Sequence, residues 1–167
     1  MNLIVAVDND WGIGCDGKLL FDIPEDMEYF RTKTAGKTVV MGLATLQSLP
    51  GSKPLRNRTN IVLSLDGTPI YGAIVCNSIE QVLSEAQKHN PDDVFIIGGE
   101  SVYTAFLDYC SRAYITKVNA VRTADRFFPN IDEQDNWKLA SESDVRTHGD
   151  LTFTFCEYVN DRTAPPR

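Results

Sequence analysis

Short apolar runs alternate along this chain with longer stretches in which apolar residues recur every three or four positions. "LIVAV" (3–7), "TVVMG" (38–42), "TNIVLS" (59–64), "GAIVC" (72–76), "DVFIIGG" (93–99) and "AYITKV" (113–118) are rich in β-branched residues and too short for helices, so they predict strands. "FDIPEDMEYFRTKTAG" (21–36) predicts a helix with Pro24 in its first turn and Gly36 just past its end. "ATLQSL" predicts a short helical segment, and Ser78 with Gln81 forms a capping box for a helix running to about His89. "ESVYTAFLDYC" predicts a helix opened by the two glycines of "IIGG". "LPGSKPLRNR" reads as loop. "WKLASES" and "LTFTFCEYV" predict two antiparallel strands around the turn "THGD". Strands alternating with helices, closed by a hairpin, predict an α/β domain whose mainly parallel sheet carries an antiparallel C-terminal edge. Residues 1–160 form that domain, and 161–167 read as a frayed polar tail.

One residue sits awkwardly in this pattern. The core-facing stripe of the first helix holds Ile23, Met27 and Phe30, and Asp26 falls on the same stripe although Asp22, Glu25 and Glu28 have freer sides. Spacing alone leaves two placements open: a carboxylate facing the core, or a helical phase one residue off that leaves Asp26 at the rim. The first is costly without a partner and so points to function.

Composition narrows the classes. The 167 residues suit one domain with a real core, and 43% hydrophobic with 23% charged residues is ordinary for a globular protein. A net charge of −7 without a basic run argues against nucleic acid as a partner. Nothing approaches a membrane span, and no signal peptide is read at the start, where "LIVAV" meets Asp8. Cys15, Cys76, Cys110 and Cys156 are far apart with no C-x-x-C pair, which favours buried free thiols and a cytoplasmic setting. His89 and His148 each lack a neighbouring ligand, so neither a metal site nor a Ser-His-Asp triad is expected.

Three glycine-bearing segments compete for a ligand. "GIGCDG" satisfies G-x-G-x-x-G after the first strand, but six residues (18–23) and Pro24 intervene before any helix, so no helix N-terminus faces a pyrophosphate there. It reads instead as a loop able to act as a lid. "IIGGES" and "VMGLAT" each end a strand on glycine and open a helix. Either arrangement alone also serves plain packing; two on one sheet make a shared cleft.

With these segments in order, the chain resembles dihydrofolate reductase across nearly its whole length. The resemblance is carried by "VAVDNDWGIG", "IPEDMEYFR", "VVMG", "LRNRTNIVLS", "VFIIGGESVY", "YITKV" and "DRFFP". It implies an αβα sandwich around a mixed eight-stranded sheet, with NADPH and dihydrofolate meeting in one cleft. It also implies hydride transfer to carbon 6 of the pterin, with protonation at nitrogen 5. Asp26 matches the pterin-binding acid, and Thr116 the residue bonded to that acid and its water. Leu19 and Phe21 fall in the catalytic loop that admits a proton-delivering water. The resemblance places Val5, Ala6, Met27, Phe30, Arg31, Leu49, Leu55 and Ile97 around the substrate and Arg58 on its α-carboxylate.

For the cofactor it implies Ala6, Ile13 and Tyr103 near the nicotinamide, Gly98 and Gly99 joined by a cis peptide beside the cofactor, and Gly14, Leu19 and Ile97 as further cofactor-binding positions. Gly42, Thr45, Leu63 and Ser64 line the adenosine and phosphate track, and Leu43, Ala44, Leu65, Glu100, Ser101, Val102 and Asp125 are further cofactor-binding positions. Antifolates are expected to share the substrate pocket, and a monomer is expected. Several positions depart from the family. Leu43, Ala44 and Leu65 stand where basic or polar residues usually meet the 2′-phosphate, which opens the way to NADH. Phe21 and Leu20 replace the usual loop tryptophan and its preceding proline. Two other readings share the fold: a reductase of a different heterocycle, and a cofactor-binding homologue without turnover.

Overall fold

The computed structural model describes residues 1–165. Twelve strands and four α-helices follow one another as β1 (Asn2–Val7), β2 (Gly12–Cys15), β3 (Lys18–Leu19), α1 (Pro24–Thr34), β4 (Thr38–Gly42), α2 (Leu43–Ser48), β5 (Thr59–Leu63), β6 (Ile74–Cys76), α3 (Ile79–Ala86), β7 (Val94–Gly98), α4 (Glu100–Phe106), β8 (Arg112–Val118), β9 (Arg126–Phe127), β10 (Trp137–Glu142), β11 (Arg146–His148) and β12 (Leu151–Asn160). The main sheet runs β10-β12-β8-β1-β7-β4-β5-β6, with β11 attached to β12. Pairs from β8 to β6 are parallel and those made by β12 are antiparallel. This is the expected mixed α/β sheet, with β11 as an added ninth strand.

Alternation along the buried strands builds two cores. Leu3, Val40, Ile61 and Ile96 face one way, onto Val82, Leu83, Val102 and Phe106 of α3 and α4. Their neighbours Ile4, Val39, Met41, Val62 and Phe95 face the other way, towards Leu46 of α2 and Phe30 of α1. The sheet is therefore the middle of three layers. Adjacent strands β4 and β7 lead into helices on opposite faces, the arrangement that opens a crevice at strand C-termini.

Three local expectations are revised. The C-terminal turn "THGD" joins β11, not β10, to β12, and β10 pairs further along the ten-residue β12. The glycine-rich loop after β1 carries β2 and β3, which join β9 in a small separate sheet. The tail is tied down over part of its length: the Asp161 N–H donates to the Asn136 carbonyl (2.9 Å) and the Ala164 N–H to the Asp108 carbonyl (2.7 Å). Residues 166–167 of the predicted tail lie outside the described residues.

Candidate active site

The crevice begins where two strands part. The parallel ladder between β1 and β7 ends at the Leu3–Ile96 pair, although β1 continues to Val7 and β7 to Gly98. The carbonyl of Ile4 is taken instead by the Tyr103 hydroxyl, which donates to it at 2.7 Å from the first turns of α4. Burial pushes the Tyr103 phenol well above its ordinary range, so the hydroxyl stays a donor. On the other side of β7 the register with β4 shifts, Val40 pairing with Ile96 and Met41 with Gly98, so Ile97 is the extra residue of a bulge.

β7 ends on Gly98 and Gly99, joined by a cis peptide bond. Gly98 has φ +128°, a conformation closed to most side chains. A Cβ on either glycine would stand 3.5 Å from the Thr45 hydroxyl. At Gly42 a Cβ would stand 3.1 Å from Val102, so α4 packs directly onto the end of β4. Gly42 and Gly99 begin α2 and α4 without a side-chain cap. Bare backbone therefore lines this part of the crevice on both sides, with Thr45 between.

The opposite wall is α1. Pro24 occupies its first turn, and Gly36 at φ +72° follows its end, its N–H donating to the Asn57 carbonyl (2.7 Å). The phase of the helix differs slightly from the predicted stripe. Ile23 and Thr34 are buried and Asp26 and Phe30 half-buried, whereas Met27 is 49% exposed. Asp26 thus faces inward in preference to Met27. The Thr116 hydroxyl, 2% exposed on β8, donates to Asp26 Oδ1 at 2.6 Å. Thr116 lies in register beside Ala6 of β1, which puts both at the edge of the split. Burial pushes the Asp26 carboxyl above its usual range, and the Thr116 hydrogen bond pulls the other way. Among the described residues no cation forms an ion pair with Asp26.

Two turns on, the same stripe organises an arginine. Arg58 donates through Nε to Thr34 Oγ1 (3.2 Å) and through Nη1 to the Arg56 carbonyl (2.9 Å), and its guanidinium lies 6.0 Å from the Phe30 ring centre. The Asn60 side chain pins the loop that presents it, accepting from the Leu55 N–H (3.0 Å) and donating to the Leu55 and Arg58 carbonyls. Burial and the charge of Arg31 push Arg58 below the ordinary guanidinium range. The charge of an arriving carboxylate would offset both effects. Asp26, Phe30 and Thr34 recur every four residues, so the acid and the arginine support are separated by about 12 Å along one helix.

The remaining predicted positions divide clearly. Leu49, Leu55 and Ile97 border the α1-side core, with Leu43 beside them, and Val5 borders the other core. Leu63 and Glu100 are half-buried, while Ile13 and Val102 are buried. Arg31 is exposed and paired with Glu28. Leu19 is 74% and Leu65 87% exposed, and Ala44 and Ser101 are also at the surface. Buried Ser64 donates its hydroxyl to Asp66 Oδ1 (3.0 Å), and Asp66 is held below the usual carboxylate range by the Thr68 N–H and this hydroxyl. Asp125 holds the loop: its N–H donates to the Gly14 carbonyl (3.0 Å), and Oδ2 accepts from the Asp16 N–H (3.0 Å). Nothing in the sequence marks Thr34 as a support for Arg58, while Asn60 carries a signal as a polar residue of "LRNRTN" at the start of a buried strand.

A family profile for dihydrofolate reductase matches residues 1–160. The dihydrofolate reductase of Bacillus subtilis (strain 168) is 35% identical, over 98% of each chain. That of Schistosoma mansoni is 36% identical, over 95% of each. The fold superposes with a TM-score of 0.85 on dihydrofolate reductase from Enterococcus faecalis, solved in complex with NADP(H) and RAB-propyl; it is 30% identical and the match covers 96% of this chain and 95% of that one. The chain belongs to the dihydrofolate reductase family.

Proposed function

We infer that the protein reduces 7,8-dihydrofolate to 5,6,7,8-tetrahydrofolate with NADPH, and that Asp26 is the acid that binds and polarises the pterin. The observation that carries this reading is the inward-facing Asp26, paired with no cation among the described residues and held by buried Thr116 at the mouth of a split sheet. A carboxylate offers two adjacent acceptors, matching a ring N–H beside an amino group. Thr116 fixes its rotamer and leaves the second oxygen for the ligand. Arg58, prearranged by Thr34 and the Arg56 carbonyl, receives the substrate's α-carboxylate at the far end of the same helix stripe. Phe30, Leu49 and Leu55 supply the apolar middle.

The residues present fit a dinucleotide. Gly42 and Gly98–Gly99 end their strands without side chains that would crowd the helix starts, where a phosphate would be held, and a flat ring would lie beside Ala6, where β1 and β7 stop pairing. When bound, NADPH supplies the hydride delivered to carbon 6 of the pterin. Asp26 raises the readiness of the pterin to take a proton at nitrogen 5, and the loop of Leu19 to Phe21 governs water entry. Diaminopyrimidine antifolates present the same pair of donors and belong in the same pocket.

Following NADPH oxidation with dihydrofolate tests the assignment: turnover supports it, and binding of both ligands without turnover overturns it. The reading as a reductase of another heterocycle is disfavoured by the pairing of Asp26 with Arg58, a ring-binding acid with a carboxylate-binding fork.

A further inference from the structure

The segment from Asp8 to Ile23 has both ends at the site, since it leaves β1 just past Ala6 and enters the helix that carries Asp26. One residue outside it fastens both ends. The Arg122 N–H donates to Asp8 Oδ2 (3.1 Å), and Asp8 is 3% exposed, its other oxygen accepting from the Gly12 (2.7 Å) and Asp10 (2.9 Å) N–H groups. The Arg122 guanidinium reaches the far end, donating to the Leu20 carbonyl at 2.6 Å and lying 4.6 Å from the centre of the Phe21 ring. Phe21 itself rests on the small core of Ile23, Val118 and Phe153. Among the described residues no carboxylate pairs with Arg122, so its charge is committed to the loop.

We propose that Arg122 is a positioning residue that clamps the loop through Leu20 and Phe21 and so sets how well the cleft excludes water during hydride transfer. Phe21 lacks the indole N–H of a tryptophan, but the face of its ring receives a cation, which a phenyl group does without any donor. Arg122 is exposed, and replacing it leaves the packed core intact. A charged hydrogen bond and a cation–π contact at the surface together shift a loop-opening equilibrium by about 10-fold.

The test uses the full chain with Arg122→Gln, Arg122→Lys and Phe21→Leu. In ligand-free Arg122→Gln, backbone amides of residues 10–21 are expected to exchange about 10-fold faster while those of β7 and β8 are unchanged. Single-turnover hydride transfer is expected to slow by roughly 3- to 10-fold with an unchanged thermal midpoint. Arg122→Lys keeps the cation and is expected to restore most of the loss. Arg122→Gln combined with Phe21→Leu should be no slower than the slower single variant. Unchanged loop exchange, unchanged hydride transfer, or additive slowing in the double variant each overturns the clamp. The turnover arm rests on the reductase reading, but the exchange arm needs no substrate. An enzyme inactive with dihydrofolate therefore contradicts that reading, whereas unchanged exchange in an active enzyme contradicts the clamp.

Discussion

At the scale of single residues, the site is arranged around an acid kept where it is unfavourable. Burial raises Asp26 above its unfolded-state value of 3.8, so folding favours its protonated form. The resulting stability is complete below that unfolded value and is lost as pH rises through the higher folded value. Asparagine preserves the shape and an acceptor for Thr116 but does not titrate. Asp26→Asn is therefore expected to melt at a higher temperature than the parent at pH 7, with the difference vanishing towards pH 3.8. Its turnover should fall by roughly 100-fold or more at neutral pH and recover in part in acid, where dihydrofolate arrives protonated. Calorimetry and a pH–rate profile on the same variant check both halves, and near-normal neutral turnover would remove Asp26 from its role. On the proposed reading Arg58 meets the substrate's α-carboxylate, far from the reacting carbon, so its loss should weaken binding without slowing chemistry. Arg58→Leu is expected to raise the KM for dihydrofolate by about 10- to 100-fold with kcat little changed, the worth of a charge-assisted pair. A matching fall in kcat would show that Arg58 also sets the position of the ring.

At the scale of elements, the cofactor side lacks positive charge where the resemblance expects it. Leu43 opens α2 and packs on the α1-side core, Ala44 is at the surface, and the end of β5 presents Asp66 with the Ser64 hydroxyl already engaged. A carboxylate held ionised beside that strand end disfavours a 2′-phosphate. The preference for NADPH over NADH, measured as the ratio of kcat/KM values, is therefore expected to be narrow. Leu43→Arg should widen it about 5-fold through one charged contact. A wide native preference that Leu43→Arg leaves unmoved would place the phosphate donors elsewhere. The elements themselves were largely legible, because β-branched runs and the Pro24–Gly36 bracket are local signals. β2, β3 and β9 were not, since two- to four-residue strands carry no periodicity and form only when the loop folds back on residues 126–127. The helical phase of α1 was legible only to within a residue. Met27 and Asp26 are neighbours, and the one that faces inward meets a partner, Thr116, ninety positions away.

At the scale of the whole molecule, the two cores and the split between β1 and β7 depend on contacts that no short stretch of sequence encodes. The buried alternation Leu3/Ile4 and Val39/Val40 could be read as strand, but not which layer each residue would meet. The same holds at the C-terminus, where polar composition predicts fraying and long-range backbone pairing overrides it. We propose that residues 1–160 form the complete folding unit and that the tail adds stability without adding function. Beyond β12, the Asp161 N–H reaches the Asn136 carbonyl ahead of β10, and the Ala164 N–H reaches the Asp108 carbonyl after α4. The two bonds staple the end of β12 to opposite neighbours, far in sequence from the catalytic loop. A chain ending at Asn160 should therefore retain the kcat and KM of the full chain and lose about 1–3 kcal/mol of unfolding free energy in urea, two hydrogen bonds' worth. If kcat fell with stability intact, the tail would have to be counted within the catalytic unit.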